Sequence, residues 1–308
     1  MKILIADSMH NSLFAMLEHE NWEYAYHPEF SRKEILNSIG GYDGLIIRSK
    51  TNIDKEILDA AVSLKFIARA GAGLDLIDLE VANEKGIVVF HAGTGNRDSV
   101  AEHAVGMLLS LFNNIVKADR EVRSGRWDRE GNRGVELMNK TVGIIGYGNN
   151  GGATAMRLSG FGCKVIAYDK YRKNYADNFA KEVSLAEMMV EADIVSLHVP
   201  MTEETRYLID YNLIERFSKP FYLLNMSRGE IVRLSAVVNA LKNGRILGAC
   251  LDVLENEKIN NLIPSEQETF DFLAASDRVV FTPHIAGWTH ESYRRINEVL
   301  VCQIKGLS

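Results

Sequence analysis

Between Thr141 and Gly152 the sequence reads TVGIIGYGNNGG. The apolar run from Val142 to Ile145 has the length and β-branched content of a buried strand. Gly146, Gly148 and Gly151 follow at G-x-G-x-x-G spacing. ATAMRLSGFG continues with Ala153, Met156 and Leu158 at roughly helical intervals until Gly160 and Gly162 end the pattern. A second apolar run, KVIAYD, closes on Asp169, 18 residues beyond Gly151. Strand, glycine turn, helix, strand and terminal acid in that order predict a βαβ unit that binds a dinucleotide.

Each glycine has its own task in such a unit. The first turns the chain out of the strand, the second lets backbone approach a pyrophosphate, and the third brings the helix close to the strand. The helix N-terminus, with Asn149 and Asn150 beside the glycines, offers unpaired N–H groups and a positive dipole end to the phosphates. Asp169 can accept the ribose hydroxyls and repels a 2′-phosphate, so NAD is the expected cofactor. Lys170 and Arg172 act against that preference, because a basic residue at this point can hold such a phosphate.

The flanking sequence continues the same alternation. KILIAD, WEYAYH, GLIIRS, LKFIARA and GIVVFHA read as strands. Between them lie helices around Leu13–Leu17, over SRKEILNSIGG, over NIDKEILDAA with Asn52 as its N-cap, and up to Lys85. Alternating βα units imply parallel strands with helices on both faces. From Ser99 to about Arg123 a single long helix is expected, apolar nearly all round in its first half, which suits a buried position or a subunit interface. DREVRSGRWDREGNRG reads as a connection. Beyond Asp169, DIVSLHVP, FYLLNMS, ILGACLDV and VVFTPH read as strands, with helices near Leu185, Tyr211 and SAVVNALKNG. ENEKINNLIPSEQETF is expected to be a polar loop, and HESYRRINEVLVCQI a closing amphipathic helix.

Composition bounds the function. A chain of 308 residues suits two domains, and 46% hydrophobic with 25% charged residues is the balance of an ordinary soluble protein. A net charge of −6 argues against general nucleic-acid binding. Cys163, Cys250 and Cys302 lie far apart, form no metal or redox spacing, and fit a reducing compartment. MKILIADSM is too short for a signal peptide and no apolar run reaches membrane-spanning length, so a cytoplasmic protein is expected.

Oxidation of an alcohol by NAD needs a base for the hydroxyl proton and a cation for an anionic substrate. Arg228 after FYLLNMS, Glu257 after GACLDV and His284 after VVFTP all follow strand C-termini, where open α/β sheets bind ligands. Taken singly, each also reads as a cap, a loop charge or a turn residue. His198 and His103 likewise have packing readings.

Seven stretches in order, RAGAGLDLID, SVAEHAVGMLL, TVGIIGYGNNGG, SLHVPMTEETRYLI, NMSRGEIV, GACLDVLENE and TPHIAGWT, resemble the D-isomer-specific 2-hydroxyacid dehydrogenases over nearly the whole chain. Within them the chain looks most like the phosphoglycerate dehydrogenase and glyoxylate/hydroxypyruvate reductase branch. The resemblance implies two Rossmann-like doubly wound domains: a discontinuous, flavodoxin-like substrate domain (1–98 and 283–308) and an inserted NAD-binding domain (99–282). It implies Arg228, Glu257 and His284 as catalytic residues, and His198 and Asp252 in the cofactor set, with Asp252 at the nicotinamide carboxamide. It places Gly71, Ala72 and Gly73 at the substrate carboxylate and Arg48 with Ser49 at the substrate's far end. It further implies a homodimer built around the long helix, with a small 2-hydroxy or 2-oxo acid as partner and no metal. Glu257 would orient His284 and raise its pKa.

Lys258 stands where a proline commonly follows the glutamate, and Trp288 where a smaller residue is frequent. The chain stops at Ser308, so serine feedback through an added domain is not expected. The substrate reading favours D-3-phosphoglycerate through Arg48, with glyoxylate or hydroxypyruvate as the alternative. A binding protein of this fold, an NAD-sensing transcriptional corepressor, is the reading from another class.

Overall fold

The computed structural model describes residues 1–307 and divides into two compact units. The first comprises Met1–Arg97 and the chain from Trp288 onward, the second Asp98–Gly287.

In the first unit five strands, β1 (Lys2–Ile5), β2 (Glu23–Tyr26), β3 (Gly44–Ile47), β4 (Phe66–Arg69) and β5 (Val88–His91), alternate with four helices. These are α1 (Ser12–His19), α2 (Arg32–Ser38), α3 (Lys55–Ala60) and α4 (Leu79–Glu84). All strand pairs are parallel, in the order β2-β1-β3-β4-β5. Side chains alternate across this sheet with period two. Leu4, Leu45 and Ile67 join the core under α2 and α3, while Ile3, Ile46 and Phe66 point the other way. There the closing helix His290–Lys305 lays down Ile296, Leu300, Val301 and Ile304, each full burial contributing about 1.5–3 kcal/mol. Gly95 permits that contact, since a Cβ there would lie 2.9 Å from the Ile296 backbone.

α3 starts two residues later than the sequence suggested. Its N-cap is Asp54, whose carboxylate accepts the Ile57 N–H at 3.3 Å, and Asn52 lies outside the helix. Ile53 explains the shift: it bridges to Ile77 in extended form and cannot join the first turn.

The second unit opens with α5 (Arg97–Phe112) and α6 (Ile115–Arg123). These replace the single expected helix, because Asn114 takes a left-handed backbone (φ 52°) that breaks the hydrogen-bond ladder. The glycine-motif unit follows as β6 (Thr141–Ile145), α7 (Asn149–Leu158) and β7 (Lys164–Tyr168), then the short β8 (Lys181–Glu182). The remainder is α8 (Leu185–Glu191), β9 (Ile194–Leu197), α9 (Tyr211–Arg216), β10 (Phe221–Asn225), α10 (Leu234–Asn243), β11 (Ile246–Leu251), α11 (Pro264–Ala275) and β12 (Val279–Phe281). α11 corrects the expected polar loop. Pro264 at the first position and Glu266, which accepts the Ile263 N–H at 3.1 Å, start a helix that buries Leu273.

This sheet is also wholly parallel, in the order β12-β11-β10-β9-β6-β7-β8. β6 pairs with both β7 and β9, so the winding reverses at its C-terminal end. That reversal opens the crevice in which doubly wound sheets take their ligands.

Candidate active site

The glycine turn leaves that crevice from β6. Gly146 has φ 94°, and a Cβ there would lie 2.6 Å from the His198 carbonyl oxygen. A Cβ at Gly151 would lie 2.1 Å from the Gly146 oxygen, so α7 can approach β6 only with glycine there. Gly148 differs, since a Cβ on it would meet nothing within 4 Å. Its bare backbone faces open space. α7 begins at Asn149, ahead of the expected start, and no side chain caps it. Its first N–H groups are therefore available to an anion.

Two buried polar atoms beside this turn lack a protein partner among the described residues, Asn150 Oδ1 and His198 Nδ1. His198 Nε2 lies 2.9 Å from Ser196 Oγ, and burial pushes the imidazole down to about pH 4. At the end of β7, Asp169 accepts the N–H groups of Tyr147, Tyr171 and Arg172, each at 3.0 Å. Burial raises its pKa, but these bonds and the Arg172 charge outweigh that and hold the carboxylate below its ordinary range. The two nearby basic groups are engaged. Lys170 pairs with Glu204 at 2.8 Å, and the Arg172 guanidinium donates to the Tyr147 carbonyl. Open backbone at Gly148, an uncapped helix start and an ionised acid at the neighbouring strand end fit a dinucleotide.

Sequence reasoning missed the packing under this acid. Tyr147, between the first two glycines, donates its hydroxyl to Asp177 at 2.9 Å, and Tyr175 accepts the Asp169 N–H and donates to the Ala167 carbonyl. One tyrosine inside the glycine turn and one in the loop after β7 give no periodicity by which this could be found.

Arg228, Glu257 and His284 follow three adjacent strands, β10, β11 and β12. Glu257 and His284 meet directly, with His284 Nδ1 2.9 Å from Oε1 and 3.1 Å from Oε2. Both are about half exposed. Arg228 lies on the next strand end, its Nη1 donating to the Ser227 carbonyl at 2.8 Å. Gly229 sets its position, because a Cβ there would sit 1.8 Å from the Leu254 carbonyl oxygen. The loops carrying Arg228 and Glu257 are thereby packed backbone to backbone.

His284 has a left-handed backbone, φ 55°, which is costly for a residue with a Cβ. Its N–H donates to the carbonyls of Asp252 (2.7 Å) and Thr282 (3.0 Å). The buried Asp252 carboxylate accepts from the Thr282 hydroxyl at 2.6 Å and from the Ile285 and Ala286 N–H groups at 2.8 and 3.0 Å. Asp252 thus anchors the histidine loop. Beside it lies a cavity of about 340 Å³ walled by Leu254, Ile259, Phe270, Phe281 and Pro283, with Glu257 and His284 at its edge.

In the first unit, Gly71 follows β4 and leaves room for the Arg69 guanidinium, whose Nη1 would lie 1.5 Å from a Cβ. The Gly71 N–H bonds the Arg69 carbonyl at 2.9 Å, whereas the N–H groups of Ala72 and Gly73 make no hydrogen bond among the described residues. Arg48 directly follows β3 and is itself followed by exposed Ser49. Its guanidinium lies 3.8 Å from the Trp288 ring centre and 4.3 Å from that of Tyr293. Its backbone N–H donates to Asp7 at 2.6 Å.

Residues 105–286 match the NAD binding domain of the D-isomer specific 2-hydroxyacid dehydrogenases. The chain belongs to that family. It is 38% identical over 90% of its length to a glyoxylate reductase of Thermofilum pendens, covering 82% of that protein. It is 34% identical over its whole length to a D-3-phosphoglycerate dehydrogenase of Archaeoglobus fulgidus, of which it spans 57%. Among solved structures, D-lactate dehydrogenase of Aquifex aeolicus, complexed with NAD and lactic acid, superimposes with a TM-score of 0.85 at 28% identity, covering 100% of this chain and 95% of that one. The second unit therefore takes a nicotinamide dinucleotide, and the fold is the two-domain α/β arrangement of the family.

Proposed function

We propose that the protein is an NAD-dependent dehydrogenase interconverting a D-2-hydroxy acid and its 2-oxo acid, with D-3-phosphoglycerate as the hydroxy acid. The observation that carries the reaction type is the His284–Glu257 pair on strand ends next to Arg228. Nδ1 faces Glu257, so Nε2 is the nitrogen left to exchange a proton with substrate. Arg228 holds the carboxylate and carbonyl oxygen of the 2-oxo acid and polarises the carbonyl. His284, charged, gives its Nε2 proton to that oxygen, and neutral it removes the hydroxyl proton in the reverse direction. Glu257 fixes the orientation of the ring through its contact with Nδ1. A nicotinamide dinucleotide held at the Gly146–Gly151 turn and Asp169 would supply or accept the hydride at carbon 2.

In this reading the second unit is the cofactor domain, with Asp169 giving NAD preference over NADP. The first is the substrate domain, its Ala72 and Gly73 N–H groups serving the substrate carboxylate. The finer assignment rests on Arg48, which forms no ion pair among the described residues although half-buried between two aromatic rings. A guanidinium so held suits a phosphate at the substrate's far end. Trp288 supports the second reading, a glyoxylate or hydroxypyruvate reductase, because its indole occupies space beside Arg48.

NADH oxidation with 3-phosphohydroxypyruvate, hydroxypyruvate and glyoxylate, compared by kcat/KM, tests both readings. The phosphorylated acid is expected to lead. Arg48→Gln is expected to lower its kcat/KM by about 10–100-fold, the worth of a charged hydrogen bond, while sparing glyoxylate. A lead for the small acids selects the reductase. No consumption of NADH with any of them moves the weight to another 2-oxo acid or to a binding role.

A further inference from the structure

One face of α5 carries Ser99, His103 and Met107 at four-residue intervals, and all three reach the loop that follows β12. Ser99 Oγ donates to the Ala286 carbonyl at 2.7 Å. His103 Nε2 lies 2.9 Å from Thr282 Oγ1, and Met107 Sδ lies 3.4 Å from the same oxygen. The helix therefore grips both ends of the five-residue stretch Thr282–Ala286, with His284 at its centre.

Proton placement in this chain follows from the acceptors. A carboxylate only accepts, so Asp252 Oδ1, 2.6 Å from Thr282 Oγ1, takes the single hydroxyl proton. The His103 ring must then donate to Thr282 through an Nε2–H. Burial holds the imidazole below its ordinary pKa against the pull of Asp252, 3.6 Å away, which favours a neutral ring. The order is His103 to Thr282 to Asp252, with the Ile285 and Ala286 N–H groups on the same carboxylate.

We propose that His103 is a positioning residue, which through Thr282 and Asp252 fixes the loop so that His284 keeps its left-handed backbone and presents Nε2 to the reacting oxygen. This rests on the reading of His284 as the proton-transfer group. A loop free to relax would let that strained residue leave the left-handed region, and small misplacements of a reacting group cost rate steeply.

The test uses the full chain with His103→Leu, His103→Gln, Thr282→Val and the Leu/Val double variant. It measures kcat, KM, NADH affinity by fluorescence, and amide hydrogen exchange of residues 282–287. His103→Leu is expected to lower kcat by about tenfold, with NADH affinity within about twofold, and to speed exchange at Ile285 and Ala286. Gln, whose amide can donate to Thr282, is expected to restore most of both, and the double variant to be no worse than the poorer single one. The proposal is overturned if His103→Leu leaves kcat and exchange within about twofold of the parent, if Gln is as impaired as Leu, or if the two losses multiply. Turnover that survives His284→Ala, or a parent with no turnover, defeats the reading of the site instead. The exchange measurement then still decides whether His103 holds the loop.

Discussion

His284 occupies a backbone region that costs a non-glycine residue of order 1–3 kcal/mol, and the bonds to Asp252 and Thr282 hold it there. Such a cost is expected where geometry serves chemistry. Replacing His284 by Ala is expected to lower turnover by roughly 10²–10⁴-fold with NADH affinity unchanged in a fluorescence titration. Normal turnover in that variant would remove His284 from the reaction. His198 makes a different prediction, on stability. Its pKa is lowered from 6.5 to about 4 by burial, so below pH 6.5 the unfolded chain binds a proton that the folded one refuses. Stability is therefore present above pH 6.5 and is lost as the pH falls toward 4, by roughly 2–3 kcal/mol. His198→Gln should flatten that part of a plot of denaturation midpoint against pH, and parallel curves for parent and variant would refute it. Gly146, Gly151, Asp169 and the Arg–Glu–His set could be picked out because spacing and strand ends mark them. The Tyr147–Asp177 bond and the Thr282 hydroxyl could not, since each joins residues distant in sequence with no period between them.

At the scale of elements, most helices and strands were legible because apolar period and caps agree. In one exception a local signal is overruled by a contact elsewhere. NIDKEIL offers two N-caps, and the bridge of Ile53 to Ile77 selects Asp54. Asp54→Ala should cost about 1 kcal/mol in denaturant unfolding, with loss of the Arg32 pair included, whereas Asn52→Ala should stay within about 0.5 kcal/mol. Equal losses would mean that Asn52 shares the cap. The break at Asn114 was hidden because asparagine is also tolerated within helices, so only its φ reveals the turn. α11 was hidden by its polar surface, as Leu273 is its one fully buried position.

For the whole molecule, two parallel sheets follow from alternating βα units, but strand order does not. It is set by which strand each helix returns to, and only the glycine motif fixes one point, the reversal at β6. The same limit applies to surfaces. α6 carries Ile115 and Val122 seven residues apart on one face with Val116 beside them, all about half exposed, and Trp127 just beyond is 80% exposed. Leaving such a cluster in water forfeits hydrophobic energy, and apolar patches of this kind mark association sites. We propose that a second copy of the chain covers it, as the resemblance to the family implies. A stable pair would bury on the order of 1,200–2,000 Å² or more. Sedimentation equilibrium should then give the mass of two chains. Val116→Glu with Val122→Glu should shift it to one, since burying two unpaired carboxylates costs several kcal/mol while both positions tolerate charge in the exposed monomer. A parent that sediments as one chain, or a double variant that stays paired, would place the contact elsewhere or abolish it.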